Sequence, residues 1–518
     1  MRRVPISLAA TAALLPVVLC VTAEPASAAG TSLTVNAIGR NGAKAPAQVQ
    51  AWNLDQNHPY TLTVGKTLSV PKGRYSVMAD VESTSPTSTD TLGAVVINVT
   101  GRNSVTFDAR KGKAIRASVD AATGAAYQES IDARVCTASG FPQMEAWNSA
   151  GSVFVIPSTD KDLSFAYLAN FQGPKQYVVS AATRTGVPAT PGGSFRAAAL
   201  AKVTFQVRAN EQQGADNDTA IQPLPTGYTC QTDLFAQVQD QQAPYSTDLY
   251  VSPGIWQGRD DVMASAGDIA SEFLPSTAYA AGHSYTHIFN RAVWGPGYSL
   301  PMVWQRQIQF DASDLITDPT PGMQNGVALT REALQLSRAG KVVKQTTLSS
   351  YGNSSSEFNV GINTAGWYRL IADATRYRPD VTSPAGTLTS RSTLDMHFYA
   401  NPAKSQVVPI FLTRFTAYAL NGSNHAAAGS VTPVGLTISR PPNGGGIPEP
   451  QDTAKTLLVW ASADNGKTWQ RVTGSKVNGL WVVNVHNPAA GQVSLRTEVA
   501  DAAGNWTTET VYGAYGIG

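Results

Sequence analysis

The sequence predicts an all-β protein made of tandem β-sandwich modules. Short segments in which apolar and polar residues alternate recur along the chain, and Gly, Pro and Asn turn residues separate them. Only 14% of the residues are charged, against roughly 25% in an average soluble protein. Because 518 residues exceed what one hydrophobic core usually holds, we expect three or four domains.

The first 28 residues have the pattern of a secretory signal peptide. Arg2-Arg3 form a basic start, residues 8–21 an apolar run, and Ala26-Ser27-Ala28 a cleavage motif. No later apolar run reaches the ~18 residues that a membrane-spanning helix needs. The sequence therefore predicts a secreted, extracellular protein with no membrane partner.

The net charge argues against a nucleic-acid partner. It is +2 over the whole chain, and no Lys/Arg run with interleaved aromatic residues is present. We expect a monomer that binds no nucleic acid.

The first module is predicted at residues 29–120, with seven alternating strands. Its most specific element is Val70-Pro71-Lys72-Gly73-Arg74-Tyr75-Ser76-Val77, in which Pro71 and Gly73 shape a turn and Tyr75 packs inward. This V-P-x-G-x-Y-x-V pattern resembles the carboxypeptidase-regulatory or transthyretin-like sandwich.

Two further modules are predicted between the first and the last. Residues 121–310 are expected to form one larger sandwich, in which residues 261–273 are the one candidate for a short helix. Residues 311–404 are expected to form a small sandwich with a hairpin at Ala339-Gly340.

Residues 405–518 are predicted to form an immunoglobulin-like sandwich. Its best-defined hairpin turns at Asp464-Asn465-Gly466-Lys467, since Asn and Gly tolerate positive φ. The same segment fits the S-x-D-x-G-x-T-W Asp-box of sialidases, a structural brace rather than a catalytic site. One copy does not indicate a propeller. The residues that match the box are Ser462, Asp464, Gly466, Thr468 and Trp469.

The mature chain retains two cysteines, Cys136 and Cys230. In an oxidising compartment we expect them to form a disulfide, with two free thiols as the alternative. Two cysteines alone do not make a metal site.

Four stretches resemble the region that follows the catalytic domain in large secreted subtilisin-like serine proteases of actinobacteria. They are VPKGRYSV with SVTFDARKGKAIR, AGHSYTHIFNRAVWGPGYSLP, GWYRLIADATR with RFTAYALNGSNHAAAGSVTPVGLTI, and LLVWASADNGKTW with NPAAGQVSLRTEVADAAGNWTTETVYGAY. They occur in the same order as in that family and cover most of residues 30–518. The resemblance implies a β-sandwich array that accompanies a protease and has no chemistry of its own.

The catalytic contexts of subtilisin-like enzymes are absent from the sequence. Acyl transfer there needs an Asp in D-[ST]-G, a His in H-G-T and a Ser in G-T-S-M-A. Gly30-Thr31-Ser32 repeats three of these letters by chance, because an alternating strand pattern follows it. We therefore predict no catalytic residues and a non-catalytic protein.

For the other chemical motifs, a structural interpretation is better supported than a catalytic or metal-binding one. Gly282-His283-Ser284-Tyr285-Thr286 approaches a nucleophile elbow but lacks the final Gly. His283 and His287 lack a nearby third ligand, which favours hydrogen-bonded histidines over a metal site. Asp216-Asn217-Asp218-Thr219 is interpreted as a polar surface turn, with a structural calcium ion as the alternative. We otherwise expect no cofactor and no metal.

The ten tryptophans allow a carbohydrate-binding function, because exposed aromatic rings stack on sugars. Most lie in strand patterns and are expected in cores. Trp256 and Trp294 lie in loop-like contexts and are predicted as the ligand-stacking residues.

Two classes of function follow. The favoured one is a non-catalytic accessory protein that binds an extracellular polymer, a cell surface or a partner protease. The alternatives are a carbohydrate-binding protein and a hydrolase whose site is assembled from distant residues. A concave pocket with converging His and carboxylates would favour the hydrolase.

Overall fold

The computed structural model describes residues 30–83, 88–148, 153–209, 216–224, 230, 234–264, 267–297, 300–320, 324–327, 330–349, 357–376, 386–440 and 453–518. Within these ranges the helical elements are three single 3-10 turns, and β strands dominate. The predicted all-β sandwich class is thereby confirmed. No helix of the described residues is long and apolar enough to cross a membrane. The predicted signal peptide, residues 1–28, lies outside them. The 3-10 turns are Ala109–Lys111, Ala197–Ala199 and Ser313–Leu315.

The N-terminal strands form two sheets that pack face to face. Their bounds, with those of the next strands along the chain, are β1 (Ser32–Ile38), β2 (Ala47–Asn53), β3 (His58–Thr61), β4 (Thr67–Ser69), β5 (Gly73–Ser83), β6 (Thr89–Val99), β7 (Arg102–Asp108), β8 (Lys113–Ala114), β9 (Arg116–Val119), β10 (Gln128–Thr137), β11 (Gln143–Asn148) and β12 (Val153–Val155). One sheet has the order β4-β1-β7 and the other β3-β2-β5-β6-β12-β8. Tyr75 is fully buried between them, as predicted, and its hydroxyl donates to the Pro71 carbonyl at 3.0 Å.

The middle of the chain adds two larger sheets. Their strands are β13 (Leu163–Gln172), β14 (Gln176–Thr183), β15 (Gly192–Phe195), β16 (Ala201–Val207), β17 (Asp216–Pro223), β18 (Ala236–Gln241), β19 (Tyr245–Val251), β20 (Gly254–Ala264), β21 (Gly267–Phe273), β22 (Thr277–Tyr279), β23 (Ser284–Phe289), β24 (Met302–Trp304), β25 (Gln307–Asp311) and β26 (Gln324–Val327). A seven-stranded sheet has the order β11-β10-β13-β14-β19-β16-β23, and a six-stranded sheet runs β18-β17-β20-β21-β26 with β22 beside β20.

In the seven-stranded sheet, β10 and β13 are buried on both faces. One face packs on the β5–β6 sheet, where Met78 and Leu92 meet Val135. The other packs on the six-stranded sheet, where Phe205 meets Ile221. The three-stranded sheet and these three larger sheets are therefore stacked in layers, and neighbouring layers share a core.

The C-terminal part is organised around a nine-stranded sheet. The remaining strands are β27 (Thr330–Arg338), β28 (Lys341–Ser349), β29 (Glu357–Gly361), β30 (Gly366–Arg376), β31 (Arg391–Ala400), β32 (Gln406–Val407), β33 (Leu412–Ala417), β34 (His425–Ala426), β35 (Val431–Ser439), β36 (Ala454–Ser462), β37 (Gln470–Arg471), β38 (Gly474–Val477), β39 (Leu480–His486), β40 (Gly491–Asp501) and β41 (Trp506–Ile517). The nine-stranded sheet has the order β28-β27-β30-β31-β41-β40-β36-β37, with β34 beside β41.

The inner face of the nine-stranded sheet covers two small sheets. Leu370 and Met396 pack on the β29-β25-β24-β32 sheet, and Leu495 and Val511 pack on the β33-β35-β39-β38 sheet. Its opposite face carries the polar and aromatic side chains described below.

Strand pairing crosses each predicted module boundary. β12, beyond residue 120, pairs with β6 and β8 of the first module. β25 runs through the boundary at 310, and β31 pairs with β41 across the boundary at 404. The predicted modules 311–404 and 405–518 therefore share one sheet. The sequence did not indicate this, because alternation locates strands but not their partners.

The helix expected at residues 261–273 is not formed: residues 261–264 and 267–273 lie in the strands β20 and β21 instead. β20 and β21 pair antiparallel there, with Asp260 opposite Glu272. Asp260 and Val262 are buried on one face of β20, whereas Arg259 and Asp261 are not. This period of two places the segment in a sheet, and sheet pairing overrides its modest helix propensity.

Candidate functional site

The outer face of the nine-stranded sheet carries the best-formed surface site. Side chains of a strand point alternately to opposite faces. In β30 the core therefore receives Tyr368 and Leu370, while Trp367 and Arg369 point outward. β31 follows the same rule with His397 and Tyr399 outward, and β41 places Trp506 beside them.

Four of these residues form an aromatic row: Trp367, His397, Tyr399 and Trp506. The Trp367 and His397 rings are stacked, with centroids 4.8 Å apart and an interplanar angle of 1°. His397 also stacks on Trp506 at 5.5 Å and 19°, and Tyr399 meets the Trp367 ring edge-on at 5.7 Å. Trp367 and Tyr399 remain 40% and 42% exposed. The row thus combines fixed ring orientations with accessible apolar surface.

The turn between β40 and β41 holds the row in place. The Asp501 carboxylate accepts bonds from the Ala503 and Asn505 amides at 2.9 and 3.0 Å, and from the Asn505 side chain at 2.7 Å. The Asn505 side-chain oxygen in turn accepts the Tyr399 amide at 3.0 Å. Gly504 lies next to the Trp367 ring, with φ of +96°. These bonds fix the turn against β31, so the rings are preorganised.

Two ion pairs continue the site along the same face. Arg369 contacts Asp395 through two bonds of 2.7 and 2.5 Å, and Arg391 reaches Asp373 at 2.8 Å. Hydrogen bonding to Asp395 raises the pKa of Arg369, which stays charged. Guanidinium donors and carboxylate acceptors therefore lie beside the aromatic row, where they can bond hydroxyl or amide groups of a ligand.

The predicted stacking residues Trp256 and Trp294 do not form a surface site. Trp256 is 2% exposed, and its indole N–H donates to the Ser252 carbonyl at 2.8 Å. Trp294 is 3% exposed beneath the Arg376 guanidinium, 4.5 Å from the ring. Both segments look like loops in the sequence, but neighbouring sheets close over them. The ligand-stacking prediction at these two positions is wrong.

The two structural motifs predicted locally are present. Cys136 and Cys230 form the disulfide, with Cα atoms 5.7 Å apart. In the Asp-box, Asp464 accepts the Thr468 hydroxyl at 2.5 Å, the Thr468 backbone amide at 2.8 Å and the Ser462 hydroxyl at 2.7 Å. These bonds lower the pKa of Asp464 to about 2. The box braces a hairpin, as predicted, in which Asn465 and Gly466 have positive φ and the Arg496 guanidinium lies 4.0 Å from the Trp469 ring centroid.

The weaker chemical candidates lie in β23 or next to it. Ser284 begins β23 instead of occupying a strand-to-helix elbow. His287 bonds the Tyr279 hydroxyl at 2.9 Å, and burial lowers its pKa, while the His283 ring bonds the Ala281 carbonyl. The side chains at 283 and 287 are thus engaged separately.

Residues Asp216–Thr219 lie in β17, not in a surface turn. Asn217 and Thr219 bond the buried Asp260 carboxylate at 2.7 and 2.9 Å. Among the described residues no group of three His, Cys, Asp or Glu is arranged to hold a metal ion. The absence of a cofactor stays a prediction.

A buried carboxyl cluster lies where the middle and C-terminal sheets meet. The Asn290 backbone amide donates to the Glu272 carboxylate at 2.8 Å, and its side-chain amide donates to the Asp260 carboxylate at 3.1 Å. Asp318 accepts the Arg291 amide at 2.7 Å. Burial raises the pKa of Asp260 and Asp318 to about 6 and that of Glu272 well above its usual value. The cluster is enclosed and bonds backbone, so it joins segments rather than exposing a reactive group.

Sequence patterns predict both tryptophans of the aromatic row, Trp367 and Trp506, to lie in a core by default. The available signal was alternation: Trp367 and Arg369 share a face in GWYRL, and His397 and Tyr399 share one in LDMHFYAN. Which face is outward depends on β41, more than 100 residues away.

No family model matches the chain, and no curated protein matches it. Solved structures similar to it include the FN1–FN3 domains of chicken CNTN1, at 10% identity and a TM-score of 0.15, covering 60% of this chain and 99% of that one. Sidekick-1 immunoglobulin domains 1–5 match at 9% identity and a TM-score of 0.11, covering 93% of this chain and 98% of that one. Salmonella alpha-2-macroglobulin reacted with methylamine matches at 8% identity and a TM-score of 0.17. This chain spans 44% of the macroglobulin. At such scores these similarities carry no functional argument.

Proposed function

We propose that this protein is a secreted, non-catalytic binding protein and that the aromatic row binds a carbohydrate polymer. The observation that carries the proposal is the exposed, preorganised pair of Trp367 and Tyr399 beside His397 and Trp506. Flat aromatic rings stack on the apolar faces of sugars, and the neighbouring Arg369–Asp395 pair offers bonds to hydroxyls.

Sequence and composition support the secreted, accessory part of the proposal. The leader pattern at residues 1–28 and the Cys136–Cys230 disulfide suit an oxidising compartment. The resemblance to the flanking region of subtilisin-like proteases suggests that the protein works beside such an enzyme. That partnership is part of the proposal.

Truncation of one ring tests the site. We expect Trp367→Ala to weaken binding to an insoluble polysaccharide at least tenfold, because a central aromatic contact contributes about 2 kcal/mol. Depletion isotherms on cellulose, chitin and peptidoglycan measure the effect.

Trp147→Ala is the matched control. Trp147 is 62% exposed but lies on β11 of the seven-stranded sheet, whereas the row lies on the nine-stranded sheet. It should bind like the unaltered protein. Equal losses in both variants, or no binding to any of the three polymers, would refute the proposed function.

A further inference from the structure

A polar groove opens where the seven-stranded sheet divides between β14 and β19. It encloses about 740 Å³, within the usual range for ligand sites. Its walls come from the β13–β14 hairpin, from β18 and from β19, and the lining residues are 172–176, 237–240, 246–248 and Tyr250.

The groove exists because β14 and β19 pair over three residues only. Gln176–Val178 lie parallel to Leu249–Val251. The chain upstream of Gln176 turns away into the hairpin, while β19 begins four residues before this ladder, at Tyr245. The first half of β19 is therefore paired with β16 on one side and faces the groove on the other.

The free edge of β19 presents backbone groups to the groove. The Ser252 amide donates to the Val178 carbonyl of β14 at 3.1 Å. Alternate residues of a strand direct their amides to the same side, so those of Asp248 and Ser246 point the same way. No backbone group of the described residues pairs with these two amides or with the Ser246 carbonyl.

The opposite wall is also a strand edge. β18 is the outermost strand of the six-stranded sheet and pairs only with β17 among the described strands. Its Gln237 carbonyl accepts the Gln176 side-chain amide at 2.8 Å across the groove. Gln239 and Asp240 add side-chain donors and acceptors along this wall.

We infer that this groove binds an extended, polar peptide segment of a partner protein, which adds to β19 as a strand. Peptide amides and carbonyls match the spacing of a free strand edge, as in other cases of strand addition. The Asp248 carboxylate is paired with the Lys202 ammonium at 2.8 Å, so this carboxylate does not require a cationic group on the ligand. A glycan is less suited, because the Tyr250 ring already meets Tyr177 and Lys175.

Proline substitution at the edge tests the inference. Ser246→Pro removes an amide that faces the groove, while Tyr245 and Thr247 keep their pairing with β16. Peptides selected from a displayed library of random octapeptides should bind the unaltered protein and Ser246→Ala with equal Kd, and Ser246→Pro at least tenfold more weakly.

A second arm needs no protein variant. The selected peptides, resynthesised with every second amide N-methylated, should lose affinity to the same extent. Equal binding of the methylated and unmethylated peptides, equal binding by Ser246→Pro, or failure to select any peptide would overturn the inference. Xylo- or cello-oligosaccharides that bind here and are lost in Ser246→Pro would assign the groove to glycans instead. Since Trp367 lies in another sheet, Trp367→Ala should leave peptide binding unchanged.

Discussion

Asn424 joins three segments that are far apart in the sequence. Its side-chain amide donates to the carbonyls of Ala209 and Asn290 at 3.0 and 2.8 Å, and its side-chain oxygen accepts the Ala292 amide at 3.1 Å. Its φ of +56° also suits Asn better than most residues. One buried side chain therefore links the middle sheets to the C-terminal sheets.

Asn424→Ala should lower the free energy of unfolding by roughly 3 kcal/mol, because several buried backbone groups lose their partners. Urea denaturation followed by circular dichroism measures the loss. Asn363→Ala is the control, since Asn363 is exposed and its removal should change stability by less than about 0.5 kcal/mol. A change that small in Asn424→Ala would show that the linkage is unimportant.

At the scale of elements, the disulfide joins Cys136 in β10 to Cys230, which precedes β18 in the chain. The bonded residues are 94 apart. Removing both thiols in Cys136→Ala/Cys230→Ala should lower the free energy of unfolding by about 4–5 kcal/mol, because the unfolded chain is no longer constrained.

Unfolding in guanidinium measures the stability, and thiol titration of denatured, unreduced residues 30–518 checks the bond. The titration should find no free thiol. Two free thiols, or a double variant as stable as the parent, would contradict this prediction.

Local elements were predictable from the sequence because their signals are local. The Asp464–Lys467 turn and the Tyr75 turn each depend on a few adjacent residues with specific turn chemistry. The pairing of β20 with β21 was missed because Asp260 and Glu272 are polar residues, although both are buried in the folded chain. The aromatic row was missed because it forms only when β30, β31 and β41 assemble, and β41 follows β31 by more than 100 residues.

On the scale of the whole molecule, the stacked sheets bury carboxyl groups in several separate interfaces. Asp80 lies inside the N-terminal layers, Asp260 and Asp318 at the central junction, and Glu509 inside the C-terminal layers. Burial raises their pKa values to about 7 for Asp80, about 6 for Asp260 and Asp318, and about 8 for Glu509. The layered architecture thus makes stability depend on pH.

The sign of this dependence follows from proton binding. A carboxyl whose pKa is raised on folding binds more protons in the native state than in the unfolded chain, whose carboxyl pKa is near 4. The free energy of unfolding should therefore fall as the pH rises from about 4 to about 6, where Asp260 loses its proton in the folded protein. The contribution of Glu509 is lost over a wider range, from about pH 4 to about pH 8. His287, whose pKa is lowered, opposes this only below about pH 6.5. The clearest window is pH 6.5 to 8, where the free energy of unfolding should decrease.

Urea denaturation at pH 6.5, 7, 7.5 and 8 measures that slope. Glu509→Gln should flatten it, because the amide oxygen can still accept the Thr413 amide while the titrating group is gone. Asp108→Asn is the control: Asp108 has its pKa lowered to about 2 by Arg110, so it is ionised in both states throughout this window. It should leave the slope unchanged. Stability that rises with pH across the window, or a slope untouched in Glu509→Gln, would show that these carboxyls do not set the pH dependence.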